Sequence, residues 1–125
     1  MRIWLFVAAL CGALAVLLGA FAAHALSARL PARGLEIFNT GARYQMAHAL
    51  AMGLAALAMA AAPARARARL AAIAFLTGIV LFSGSLYLMA LTGITALAPL
   101  TPLGGLAFLT GWGFLAAAAL KLPQN

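Results

Sequence analysis

The chain has 125 residues, 67% hydrophobic and 7% charged, with a formal net charge of +7 and a mean hydropathy of +1.12. A soluble domain carries about 25% charged residues, so this composition excludes a water-covered globule and points to an integral membrane protein. Eight basic residues face a single acid, Glu36, and they stand in short stretches between apolar runs, where they act as topology signals and exclude a nucleic-acid surface.

The first apolar run covers residues 3–25, long enough for a spanning helix. Arg2 and the Ala23-His24-Ala25 triplet also fit a cleavable signal peptide, but the apolar stretch exceeds the usual h-region, so a retained first span is expected. Ser27 to Gly34 reads as a polar connection interrupted by Pro31. Leu35-Glu36-Ile37-Phe38 is expected to form a short interfacial helix, kinked or ended by Asn39-Thr40-Gly41. The second span is placed at 43–62. Arg65, Arg67 and Arg69 then form an inner-face anchor for topology and anionic lipid, ahead of a third span at 70–92. The fourth is placed at 102–120, with Thr101 as a hydroxyl N-cap and Pro102 at the first helical position.

With both termini cytoplasmic, Arg2, Arg65, Arg67, Arg69 and Lys121 lie inside, and Arg29, Arg33 and Arg43 lie outside. This is the orientation the positive-inside rule favours. Helices in lipid gain nothing by hiding apolar surface from apolar tails, so close backbone approach must hold them together. Ala8, Gly12, Ala15 and Gly19 offer such a face on the first span, as do Gly78 and Gly84 on the third and Gly104, Gly105, Gly111 and Gly113 on the fourth. The fold expected is an all-α antiparallel four-helix membrane bundle forming one domain over 1–125.

The few polar groups fall near one level. His24 ends the first span; Arg43, Tyr44, Gln45 and His48 open the second; and Ser83, Ser85 and Tyr87 occupy the outer half of the third. At about 1.5 Å per residue, Ser85 lies roughly 10 Å below Thr92 and His48 about 7 Å below Arg43. Gln45 and His48 are three apart and Tyr44 and His48 four apart, so they share a helix face. Ionisable groups at membrane depth turn toward the bundle interior. A polar pocket near the outer leaflet is therefore expected from His24, Glu36, Arg43, Tyr44, Gln45, His48, Ser83, Ser85 and Tyr87, with Glu36 paired to Arg43. The network serves either to fix the bundle's outer end or to bind a small molecule, proton or lipid headgroup. His24 and His48 lack a short metal-ligand spacing, and Glu36 is the only carboxylate available to a Ser–His pair, so neither a metal site nor a nucleophilic triad is expected.

Gly19-Ala20-Phe21-Ala22-Ala23-His24-Ala25-Leu26 and Phe38-Asn39-Thr40-Gly41-Ala42-Arg43-Tyr44-Gln45-Met46-Ala47-His48-Ala49-Leu50 resemble two blocks of the family catalogued as domain of unknown function 423. Leu81-Phe82-Ser83-Gly84-Ser85-Leu86-Tyr87 and Leu100-Thr101-Pro102-Leu103-Gly104-Gly105 resemble its third and fourth blocks. The resemblance implies a small four-span protein of the bacterial inner membrane, similar to a mitochondrial transmembrane protein of animals, and carries over no catalytic residue. The function expected is a non-enzymatic accessory or interaction protein without a cofactor. Its expected partners are membrane lipids, another membrane protein or further copies of itself, and not nucleic acid. A small oligomeric transporter is the alternative, and a haem- or metal-binding protein the third reading.

Overall fold

The computed structural model describes residues 1–123, and every regular element among them is helical. Four long rods follow one another. The first is α1 (Arg2–Phe21) continued by a π turn, Ala22–Leu26; the second is α2 (Ala32–Ala58). The third joins α3 (Arg65–Gly78), a π turn Ile79–Ser83 and α4 (Gly84–Thr92). The fourth is α5 (Leu100–Ala119), preceded by a 3-10 turn at Thr95–Leu97. α2 is central: α1 packs on one side of it and α3 and α4 on the other, while α5 lies against α3 and the second π turn.

Three helical stretches, Arg2–Leu26, Arg65–Thr92 and Thr95–Ala119, are long and apolar enough to cross a membrane. α2 falls outside this set because Arg33, Glu36, Asn39, Arg43, Gln45 and His48 dilute its hydropathy. It also departs from expectation at its start. The separate interfacial helix over Leu35–Phe38 is absent; those residues are the opening turns of α2, which runs unbroken from Ala32. Pro31 stands at the N-cap in an extended conformation, where its missing N–H leaves nothing unsatisfied. Thr40 stays helical by donating its hydroxyl to the Glu36 carbonyl one turn back, 2.9 Å away. Gly41 does not break the helix: it seats the Tyr87 ring, and a Cβ there would stand 2.8 Å from Tyr87 Cε1.

The remaining boundaries shift for local reasons. Arg65, Arg67 and Arg69 form the first turns of α3, not a loop ahead of it. Arg65 Nε donates to the Met59 carbonyl at 3.1 Å, satisfying one of the orphan carbonyls that end α2. α5 starts at Leu100, so Thr101 does not cap it; its hydroxyl lies 2.7 Å from that of Ser85 instead.

Packing is inverted relative to a soluble protein. The interior is built from small side chains, Ala49, Ala51, Ala55, Ala64, Ala68, Ala71 and Ala72, with Met52, Phe75 and Phe108 among them. Large residues such as Leu17 (67% exposed) and Leu109 (68%) face outward, as a lipid solvent allows. On α1 the small-residue face divides: Ala8 and Ala15 are buried, whereas a Cβ at Gly12 or Gly19 would meet nothing within 4 Å. The tightest approach to the backbone of another helix is at Gly104 of α5, where an added Cβ runs into the Phe82 backbone. Gly104→Ala should therefore lower stability by about 1–3 kcal/mol. Gly113→Ala, whose new methyl meets open space, should leave it unchanged. Unfolding in mixed detergent micelles compares the two.

Candidate functional site

Gln45, 2% exposed, ties three helices together. Its Nε2 donates to the Cys11 carbonyl of α1 at 2.9 Å, and its Oε1 accepts the Tyr87 hydroxyl of α4 at 2.8 Å. Cys11 bears on the site through its backbone oxygen. Tyr87 reaches Gln45 by crossing Gly41, with its ring 4.8 Å from that of buried Phe38. One turn earlier on the third rod, Ser83 Oγ donates to the Gly41 carbonyl at 2.7 Å. Positions 83 and 87 thus answer 41 and 45, four-residue spacings facing each other across one helix contact. The π turn Ile79–Ser83 ends at this point, leaving Ser83 facing α2 and Ser85 facing α5. Ser85 donates to the Phe82 carbonyl at 2.9 Å, which leaves Thr101 as the donor in the hydroxyl pair.

His48 points toward a different neighbour. Its ring stacks on Phe108 of α5 with centroids 3.5 Å apart, and Tyr44 stacks beside it at 5.9 Å. Nδ1 lies 2.8 Å from the Tyr44 carbonyl, which only accepts, so Nδ1 carries the hydrogen. Nε2 then accepts the Trp112 indole N–H at 3.2 Å. This assignment follows from the bonding network and leaves an uncharged imidazole with both nitrogens engaged. Ligating a metal or haem through Nε2 would require displacing Trp112. Among the described residues, no three of His, Cys, Asp and Glu stand close enough to hold a metal ion. Tyr44, His48, Phe82, Phe108 and Trp112 line a groove of about 650 Å³ that opens outward.

The expected constellation does not gather into one pocket. Arg43 and His48 are five apart, about 140° around the helix axis at 3.6 residues per turn, so they leave α2 on different sides. Glu36 pairs with Arg33 at 3.0 Å, not with Arg43, because the three-residue offset lets Arg33 reach it from the preceding turn. Arg43 is exposed, with the Thr40 hydroxyl at 3.5 Å as its side-chain partner among the described residues. Arg43 and Asn39 line a second opening of about 340 Å³ against Ala15 and Gly19 of α1. His24 is exposed in the first π turn, away from these bonds, and Arg67 and Arg69 are exposed at the start of α3.

Residues 18–105 match the family model described as protein of unknown function (DUF423). Full-length relatives agree. The chain is 39% identical to the UPF0382 membrane protein YwdK of Bacillus subtilis, over 97% of this chain and 98% of that one. It is 44% identical to a UPF0382 membrane protein of Haemophilus influenzae, over 94% of each. It is 39% identical to the UPF0382 inner membrane protein YgdD of Escherichia coli K12, over 99% of this chain and 94% of that one. The chain belongs to the DUF423 family. No solved structure matches it.

As a DUF423 protein it is a membrane protein with transmembrane helices, in keeping with its three long apolar stretches. Reading the sequence of this DUF423 member did not anticipate Cys11, Phe108, Thr101 and Trp112 as partners of the polar groups. Two of these contribute only a backbone oxygen or a ring face, for which side-chain chemistry gives no signal. Thr101 and Trp112 were visible as polar atoms within apolar runs, which in lipid is itself a reason to look for a partner.

If Gln45 and Tyr87 act as a pair, their contributions to stability are not additive. Gln45→Leu should cost more than Tyr87→Phe, because it also frees the Cys11 carbonyl. The double variant should reveal a coupling of about 0.6 kcal/mol, with about 1.7 as the upper end for such bonds. A double-mutant cycle of unfolding in bicelles measures it.

Proposed function

We propose that the protein is a non-enzymatic accessory or interaction protein of the bacterial inner membrane. In this reading it is an antiparallel bundle of four spans with both termini cytoplasmic, offering its lateral grooves to another membrane component. The observation that carries it is the Gln45 amide, with one end on α1 and the other on α4. Together with the Ser83–Gly41 and Ser85–Thr101 bonds, it uses the scarce polar groups as interhelical ties. A reaction centre or permeation path needs such groups turned toward a substrate or a file of water.

A fourth crossing by α2 is supported by its length, 27 residues or about 40 Å, and by its central place, which turns Gln45 and His48 away from lipid. The orientation is supported by Arg2, Arg65, Arg67, Arg69 and Lys121, which up-and-down connectivity brings to one side. The inner-membrane location is supported by the similarity to YgdD of Escherichia coli, which is named an inner membrane protein.

The test sets association against permeation. A photo-crosslinking residue in place of Leu109, 68% exposed at the groove lined by Tyr44, His48 and Phe108, should yield protein adducts of discrete mass in intact membranes. Vesicles loaded with the protein should hold proton and salt gradients as long as empty vesicles do. Gradient loss that disappears in His48→Ala would overturn the reading in favour of a small oligomeric transporter.

A further inference from the structure

The geometry points to a binding site for one anionic phospholipid in the groove between α1 and α2, its phosphate held by Arg43 and one acyl chain lying along the glycine-bearing face of α1. This deepens the interaction role by naming the component that one of its lateral grooves accepts, and it rests on that reading.

The chain contains one acidic side chain, Glu36, and Arg33 already holds it at 3.0 Å. Arg43 therefore has no carboxylate partner among the described side chains and contacts only a neutral hydroxyl, that of Thr40. Its position favours an anion supplied from outside the chain. Arg43 faces Ala15 and Gly19 across the groove, and Gly19 lies about 10 Å of helical rise inside the Leu26 end of an apolar stretch long enough to span. A guanidinium at that depth needs an anion or a route to the headgroups. A phosphodiester supplies both, since its paired oxygens match the guanidinium fork.

The groove supplies the rest of the fit. The opening of about 340 Å³ at Arg43 and Asn39 borders, at Met46, a second one of about 440 Å³ that extends to Leu57. Arg43 to Leu57 is about 21 Å along α2, whereas half a hydrocarbon core is about 15 Å, so the corridor has room for the chain of a lipid from one leaflet. Gly12 and Gly19 give it shape. Ala8 and Ala15 seal the helix contact, while the two glycines leave a recess into which no protein atom reaches within 4 Å of a Cβ position. An amide at one end, Asn39, stands ready to donate to the same phosphate.

The test is native mass spectrometry of the purified full chain released from nanodiscs with equal phosphatidylglycerol and phosphatidylcholine. The wild type should retain phosphatidylglycerol about fivefold over phosphatidylcholine, the preference expected of one basic residue near anionic headgroups. Arg43→Gln should lose the preference, and Arg29→Gln, an exposed cation outside the groove, should keep it. Gly12→Leu and Gly19→Leu should each lose retention of both lipids; a Cβ at either position meets nothing within 4 Å, and an unchanged unfolding midpoint in mixed micelles checks that the fold is kept. Equal retention of the two lipids by the wild type, or full phosphatidylglycerol retention by Gly12→Leu, would overturn the site. So would a second copy of the chain captured, in place of lipid, by a photo-crosslinking residue at Leu50, which lines this groove. The interaction role would survive each of these outcomes if Leu109, in the other groove, still cross-linked to a protein; it fails separately if no protein adduct forms there.

Discussion

A side-chain amide surrounded by hydrocarbon has no water to fall back on, and Gln45 meets a protein partner at each end. That constraint organises the molecule. The amide can be satisfied only if α1 brings a backbone carbonyl to one side of α2 and α4 brings a phenol to the other. The carbonyl sits mid-helix, where it already accepts an intrahelical bond, so it is taken up through its second lone pair. The phenol needs a clear path across α2, which Gly41 provides by lacking a Cβ. One residue's bonding requirement therefore fixes the lateral order of three helices and explains a glycine in the interior of the longest one.

The second consequence of a lipid solvent is the exchange of large and small side chains between inside and outside. With no gain from withdrawing leucine from tails of the same chemistry, attraction between helices comes from dispersion over short backbone separations, which alanine and glycine permit. α5 meets the third rod this way at Gly104 and Gly111, whose added Cβ atoms would strike Phe82 and Phe75. α1 is held less completely. Its alanines engage α2, its glycines do not, and the recess between the two helices follows.

Composition and run length made the membrane class and three of the rods legible: residues 3–25, 70–92 and 102–120 were expected, and Arg2–Leu26, Arg65–Thr92 and Thr95–Ala119 are apolar enough to span. The start of α2 was not legible, because Asn39-Thr40-Gly41 is a turn signal in isolation. What keeps it helical is tertiary for Gly41, through the Tyr87 ring, and local for Thr40, through a back-bond to Glu36. The polar residues themselves were legible from their scarcity, and their four-residue spacings did mark faces that meet. Their partition was harder to read. Spacing on one helix says which residues share a face but not which neighbour lies opposite, so Gln45 and His48, 60° apart, serve different helices. The ion pair also depends on the helix being continuous: on an unbroken α2 Arg43 stands seven residues, about 10 Å, from Glu36, whereas Arg33 is within one turn of it.

The alanine-lined interior has one more implication, for how such a sequence can drift. In a water-soluble fold the exterior tolerates replacement and the core resists it because its residues are large and interlocked. Here Ala55, Ala56, Ala64, Ala68, Ala71 and Ala72 are wholly enclosed yet tiny, so nearly every replacement is a gain in bulk with no room to receive it. The lipid-facing leucines, valines and phenylalanines are interchangeable with one another at little penalty. Divergence in this architecture should therefore reshape the oily exterior freely while leaving the inconspicuous methyl groups in place.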